Sequence, residues 1–395
     1  MDTVRRSGDE TQIGLSTPCV YPRAGVRYHP DLSPFFFCIF DLMEQPIGAA
    51  KRPARLVANL LAGSWRAVPS EPDISEGELR LIAPLLLKSG GAALAWWRIR
   101  ASRLSESTAA LELRSAYQLH SLQAVIHKTE IEEVITLLNA GGVEPVLVKG
   151  WAVASLYPEE GLRPYGDIDL CFLPDQYKKA TTILNNPSCR KYSVDHHYGF
   201  SKLDDLTTDE LISRSEPARV GNAVFRVLGP EDQLRVLCTH LLRHGAWRPL
   251  WLCDVAAAVE SRPVSFDWKR CLGADKRQAD WVACAIGLAH LLLEARLDDT
   301  PVARRAEHLP AWLMNRVMRN WDEPFPENYP PLSYVPHMAT YLRRPGGVLR
   351  ALRKRWPDPI EATIRLRGPF NKFPRLPFQI AITLRRIAGF LKRVE

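Results

Sequence analysis

No apolar run in this chain approaches the roughly 18–20 residues that a membrane span needs. The longest candidates, Leu81–Leu87 and Val282–Leu293, are short or interrupted, so no transmembrane segment is expected. Disulfide and zinc signatures are missing as well. The eight cysteines, at positions 19, 38, 171, 189, 238, 253, 271 and 284, stand singly, and none forms a Cys-x-x-Cys pair. Several sit in apolar segments, which suits buried free thiols in a reducing compartment. The stretch Met1–Glu10 is polar and mixed in charge, without the basic-then-apolar order of a secretory signal. A cytoplasmic protein is therefore expected. Internal repeats and low-complexity tracts are also lacking.

What is present begins with enough apolar material for a sizeable core: 46% of 395 residues are hydrophobic,. The net charge of +8 is unevenly placed. From His337 to Glu395 there are 14 Lys and Arg against 3 Asp and Glu, which leaves the rest of the chain slightly acidic. A basic end of this kind suits an anionic partner: nucleic acid, a membrane surface or an acidic substrate.

Periodicity divides the chain into five parts. Residues 1–50 are Pro-rich and irregular, apart from the apolar patch Phe35–Phe40, which needs burial or a partner,. Residues 51–142 are a helical region: Glu78–Lys88, Ala92–Arg100 and Ser105–Asn139 carry apolar residues at threes and fours, Gly90-Gly91 separates the first two, and Gly141-Gly142 ends the third,. Residues 143–229 change character. Strands are expected at Pro145–Lys149, Asp167–Leu173, Lys191–Phe200 and Ala223–Leu228, with a helix start at Gly150–Tyr157 and a helix over Asp175–Leu184,. Residues 230–323 return to helix, at Pro230–His244, Pro249–Glu260, Ala279–Glu294 and Pro310–Asn320,. Residues 324–395 combine a Pro-rich linker, Pro324–Pro336, with basic helices at Gly346–Lys354 and Leu376–Val394. The last of these carries Phe378, Ile382, Phe390 and Leu391 beside Arg385, Arg386, Lys392 and Arg393. It reads as docked on its own chain sooner than on a membrane. The fold class is α+β: a small mixed-sheet core flanked by N-terminal and C-terminal helical regions.

The chemistry concentrates in Leu147-Val148-Lys149-Gly150-Trp151 and Arg163-Pro164-Tyr165-Gly166-Asp167-Ile168-Asp169-Leu170. Carboxylates at i and i+2 of a strand point to one face. Two like charges there are costly unless a cation sits between them, and hard Mg²⁺ favours such oxygens. Asp167 and Asp169 are the first candidate metal ligands and catalytic carboxylates, with Asp195 as the third and His197 sharing its face. Gly150, after a strand and opening a helix, allows close backbone approach to a phosphate. Lys149 is placed to balance phosphate charge or to pair with Asp167 or Asp169. Arg163 is placed to fork onto a phosphate or to form a structural bridge. Glu159, Glu160, Asp204 and Asp205 are rival carboxylates without a strand pattern. Tyr157 and Tyr165 read as packing residues before base-stacking ones. His240 and His244 have zinc spacing but no further ligand, so they read as packed or cleft-facing helix histidines.

Glycine turn, spacer, then Asp-hydrophobic-Asp resembles the DNA polymerase beta nucleotidyltransferase superfamily. The fuller pattern resembles one bacterial branch, the uncharacterised nucleotidyltransferases. It is carried by Lys149-Gly150, Leu156-Tyr157-Pro158, Arg163 before Asp167–Leu170, Val194-Asp195-His196-His197, Pro230-Glu231-Asp232-Gln233-Leu234 with His240, Trp251-Leu252-Cys253-Asp254 and Asp267-Trp268. The resemblance implies transfer of a nucleoside monophosphate from a nucleoside triphosphate, ATP first among them, with pyrophosphate release. It implies two Mg²⁺ ions, with Mn²⁺ as the alternative, held by Asp167, Asp169 and Asp195. Lys149, Gly150, Arg163 and Ser155 are then the nucleotide-binding candidates, and Asp254 is brought to the same cleft. The acceptor, whether protein, RNA or small molecule, is not specified. One departure stands out: the superfamily prefers Gly-Gly or Gly-Ser at the turn, and here Trp151 follows Gly150. The alternative reading is accordingly a non-catalytic nucleotide- or partner-binding protein that keeps the fold while Trp151 excludes a triphosphate.

Overall fold

Gly150, Gly90 and Ser75 punctuate the chain as their chemistry requires, and the elements between them follow. The structure, a computed structural model, describes residues 52–198, 206–322 and 356–394, with residues 390–394 described in backbone only. Four helices come first: α1 (Pro53–Leu61), α2 (Glu76–Ser89), α3 (Ala92–Ile99) and α4 (Thr108–Ala140). Ser75 caps α2 in a reciprocal box with Glu78, and Gly90 at φ +76° ends it,. Ser107 caps α4 by accepting from the Ala110 amide,.

The core follows with β1 (Val146–Leu147), α5 (Trp151–Ala154), β2 (Ile168–Phe172), α6 (Pro174–Leu184), β3 (Val194–Tyr198), α7 (Thr208–Arg214), β4 (Glu216–Val220) and β5 (Ala223–Val227). The five strands form one mixed sheet in the order β3-β2-β1-β5-β4. β1 runs antiparallel to β2 and parallel to β5; β2 and β3 are parallel; β4 and β5 are antiparallel. The α+β class is as the sequence indicates. Three details differ from the sequence expectation. The second strand begins at Ile168, so Asp167 stands just ahead of it and is exposed. The edge strand β4 carries Pro217, a residue that argues against a strand in sequence but is tolerated at an edge,. Helix α7, with its Thr207–Glu210 capping box, adds an element between β3 and β4.

Alternation gives the sheet two different faces. Leu147, Ile168, Leu170, Phe172 and Phe225 pack with Ile131, Val134, Ile135 and Leu138 of α4 and Ala180 of α6. Each such side chain contributes about 1.5–3 kcal/mol by burial, which locks the register of β2. The opposite face pairs Val146 and Cys171 with Leu211 of α7 and with Val236 in the next helix. Asp169, between Ile168 and Leu170, belongs to this second face.

The remaining helices are α8 (Pro230–Arg243), α9 (Pro249–Glu260), α10 (Trp268–Leu272), α11 (Lys276–Leu293), α12 (Ala303–Ala306), α13 (Ala311–Asp322), α14 (Pro359–Arg365) and α15 (Leu376–Val394). Leu60, Leu79 and Leu94 from the N-terminal helices share one apolar cluster with Leu237, Val255, Ile286, Trp321 and Ile360. The helices on the two sides of the core thus build a single interior. The Ala54 amide donates to Asp322 Oδ1 at 2.8 Å, tying α1 to α13. Helix α15 buries Ile382 but leaves Ile380, Leu384 and Ile387 exposed. The six described cysteines are buried. Among the described residues no helix is long and apolar enough to cross a membrane. The irregular segment 1–50 with Phe35–Phe40, Cys19 and Cys38, the linker Pro324–Pro336, the helix expected at Gly346–Lys354, and Asp204 and Asp205 lie outside the described residues.

Candidate functional site

The parallel pairing of β2 with β3 sets Asp169 directly beside Asp195 and Cys171 beside His197. Asp195 and His197 are two apart on one strand and so share the face on which Asp169 lies. His196 takes the other face, its ring 5.8 Å from that of Tyr177 on α6. One ligand atom each from Asp169, Asp195 and His197 lies within 4.8 Å of the others. His197 Nε2 stands 3.1 Å from Asp195 Oδ2 and 3.6 Å from Asp169 Oδ1. Lys149, in the turn after β1, donates from Nζ to Asp169 Oδ1 at 2.6 Å.

Asp169 is 2% exposed, while the side chains of Asp195 and His197 are open to solvent by about half. Burial alone would push the Asp169 carboxyl up. The His197 imidazole and the Lys149 ammonium outweigh it and hold the group below the ordinary carboxylate range,. A carboxylate kept ionised at the floor of an open cluster is a ready cation ligand.

The turn above it needs glycine. Gly150 has φ +59°, and a Cβ there would lie 3.1 Å from the Asp167 carbonyl oxygen. The glycine therefore lets the chain entering β2 pass close over the end of β1. Asp167 is exposed and lies outside the three-donor cluster; among the described residues it has no ion-pair or hydrogen-bond partner for its carboxylate. The structure thus brings Lys149, Asp169, Asp195 and His197 together and leaves Asp167 at the rim.

Arg163 takes the bridge that its sequence position left open. Its Nη2 and Nε donate to Asp254 Oδ2 and Oδ1 at 2.9 and 3.2 Å, and Nη1 donates to the Pro164 carbonyl at 3.1 Å. Tyr157 adds its hydroxyl to Asp254 Oδ1 at 2.8 Å. Burial would lower the Arg163 pKa, but the Asp254 carboxylate raises it above its ordinary value. The fork is engaged with α9 and holds the loop that carries Asp167. Ser155 donates to Ala152 O of its own short helix at 2.9 Å and does not join the cluster.

The chain matches the family described as uncharacterised nucleotidyltransferase over residues 81–202 and 188–294, more than half its length. It belongs to the uncharacterised nucleotidyltransferase family. No curated protein and no solved structure matches it. The matched segments span α4, the whole sheet and α8 to α11, so the family covers both the strand cluster and the helix that supplies Asp254.

The donor set of this nucleotidyltransferase fits a divalent cation: two carboxylates, one of them buried, and an imidazole nitrogen converge from paired strands,. It is the one such group of three or more among the described residues. His240 and His244 are not a second one; their rings lie 4.6 and 5.2 Å from Trp251. Glu159 and Glu160 are engaged on the surface with Arg100 and Lys128. Trp151 settles against Phe225, ring edge to face at 5.5 Å, on the sheet face opposite Asp169. The indole is spent on core packing. In the sequence, His197 stood out only as a neighbour of Asp195; its i+2 spacing was the signal for a donor.

Proposed function

We propose that the chain transfers a nucleoside monophosphate, in the first instance AMP from ATP, to an acceptor hydroxyl. The new bond joins the acceptor oxygen to the α-phosphorus, and the α,β-bridging bond breaks to release pyrophosphate. The observation that carries this reading is the pairing of buried Asp169 with Asp195 across parallel strands, beneath a glycine turn, in a nucleotidyltransferase. Asp169 and Asp195, with Asp167 reaching in from the rim, would hold two divalent cations, Mg²⁺ or Mn²⁺, which when bound lower the acceptor hydroxyl's pKa and offset phosphate charge. Gly150 supplies close backbone approach, and Lys149 lends its charge to the triphosphate once a metal takes its place on Asp169. The buried cysteines among the described residues suit a cytoplasmic enzyme,.

The test is incubation with each α-labelled NTP and cell extract, followed by identification of the labelled protein, RNA or small molecule. Asp167→Ala and Asp169→Ala should each lose transfer while circular dichroism stays native. Wild-type transfer in both would overturn the assignment.

The basic end suggests that the acceptor, or a carrier of it, is RNA. Arg365, Arg385 and Arg386 line one open depression with Ile382 between α14 and α15. Because Ile360 and Ile364 of α14 are buried in the main core, removing the region would damage the fold. Charge-neutral substitution of the three arginines is the cleaner test: it should weaken RNA binding and flatten its salt dependence. Unchanged binding would end this part of the reading.

A further inference from the structure

The third donor of the cluster is not a carboxylate but an imidazole, and its position is more than a counter-charge requires. Asp169 already has the Lys149 ammonium at 2.6 Å on Oδ1. His197 Nε2 nevertheless faces that same oxygen at 3.6 Å and Asp195 Oδ2 at 3.1 Å. A nitrogen set between carboxylate oxygens from two strands is placed to share a cation with both. Packing does not force it there: the ring is about 43% exposed, whereas its neighbour His196 is the one seated against an aromatic side chain.

The geometry points to His197 Nε2 as a direct metal ligand alongside Asp169 and Asp195, giving a two-carboxylate, one-imidazole set that favours a first-row transition ion, Mn²⁺ at the least, over Mg²⁺. This rests on the nucleotidyltransferase reading and specifies the metal of that same site. Mg²⁺ demands oxygen-rich octahedral surroundings and keeps its waters, so it gains little from an imidazole. A nitrogen donor raises affinity along the transition series instead.

The experiment uses the full chain with Mn²⁺ as an electron-paramagnetic probe and Mg²⁺ as competitor. Wild type should bind Mn²⁺ and show pulsed-EPR modulation from a directly bound ¹⁴N, and Mg²⁺ should displace it only at excess of about tenfold or more. His197→Ala should lose the nitrogen modulation and weaken Mn²⁺ binding by about tenfold, with Mg²⁺ affinity changed less than threefold (the contrast a nitrogen ligand predicts from donor preference). His197→Asn, which keeps a polar side chain, should also lose the nitrogen signature. Wild type binding no Mn²⁺, bound Mn²⁺ without nitrogen modulation, or His197→Ala binding Mn²⁺ within twofold of wild type would each overturn the inference. Failure here is separable from failure of the parent reading. If Asp169→Ala abolishes transfer while His197→Ala leaves Mn²⁺ binding intact, only the histidine ligand is wrong. If Asp169→Ala transfers normally, the parent reading is wrong and takes this one with it.

Discussion

Arg163 lays its guanidinium fork on Asp254, 91 residues away in sequence, with Nη2–Oδ2 at 2.9 Å and Nε–Oδ1 at 3.2 Å. The Asp254 side chain is 1% exposed and the Arg163 side chain 10%. Removing one member of a buried pair strands the other's charge, at a cost of about 3–5 kcal/mol. Asp254→Ala should lose stability on that scale in denaturant titration, and transfer should fall with it, because Arg163 anchors the loop that presents Asp167. Replacing both partners with apolar residues, Arg163→Met with Asp254→Leu, should restore much of the stability. A double variant as unstable as the single one would show that the pair does more than compensate its own charges.

Tyr157 makes the same bridge sensitive to alkali. Burial, and then the Asp254 carboxylate, push the Tyr157 hydroxyl well above its ordinary value near 10. An acid whose folded pKa is raised gives stability that is fully present below the unfolded pKa and is lost as pH rises through the folded one. Tyr157→Phe should therefore cost about 1.5–3 kcal/mol at neutral pH, the range for a hydrogen bond to a charged group. The gap between wild type and variant should narrow from about pH 10 upward. Equilibrium unfolding at pH 7, 9 and 10.5 measures it; a gap that widens above pH 10 would contradict the assignment.

Gly150 is a backbone prediction. Alanine there would hold a positive φ and press its Cβ to 3.1 Å from the Asp167 carbonyl oxygen. Strain of this kind costs about 1–3 kcal/mol. Gly150→Ala should lower thermal stability by that amount and reduce transfer further than the stability loss explains, since Asp167 must shift. A variant with full activity at a temperature where it is folded would free the turn from any role in positioning.

The strand cluster was legible in sequence because strand alternation and a two-residue spacing are local rules. Alternation pairs Asp167 with Asp169 on one strand and Asp195 with His197 on another, and the glycine turn is equally local; that Asp169 lies beside Asp195 comes from the strand register. The Arg163–Asp254 pair was less legible. A guanidinium ahead of an Asp-x-Asp suits a phosphate as well as a bridge, and only the packing of α9 against the loop decides for the bridge. Asp167 read as strand-borne because the apolar run after it hides where pairing starts; the first ladder residue is Ile168. β4 was missed because Pro217 speaks against a strand unless the strand is known to be an edge.

Trp151 separates the catalytic reading from the binding-module one. If the indole filled the triphosphate's place, Trp151→Ser would improve NTP binding. The ring instead packs on Phe225 at the face opposite Asp169. Trp151→Ser should cost about 2–3 kcal/mol, somewhat under the penalty for a fully buried tryptophan, and leave ATP affinity within threefold of wild type in calorimetric titration with Mg²⁺. A tenfold gain in affinity would revive the blocked-turn reading.

Lys149 closes the argument about charge at Asp169. Its ammonium sits 2.6 Å from Oδ1, on the oxygen that His197 also faces. In the absence of nucleotide it competes with a metal ion for that oxygen, because two cations on one carboxylate repel. Lys149→Met should therefore bind Mn²⁺ more tightly than wild type when no nucleotide is present, by several-fold. The same variant should bind ATP more weakly, since the displaced ammonium is no longer there to meet the phosphates. Calorimetric titration of metal alone, then of ATP at saturating metal, reads both effects. Weaker metal binding in Lys149→Met would mean that the lysine only fixes the orientation of Asp169 and contributes nothing to a metal-for-ammonium exchange.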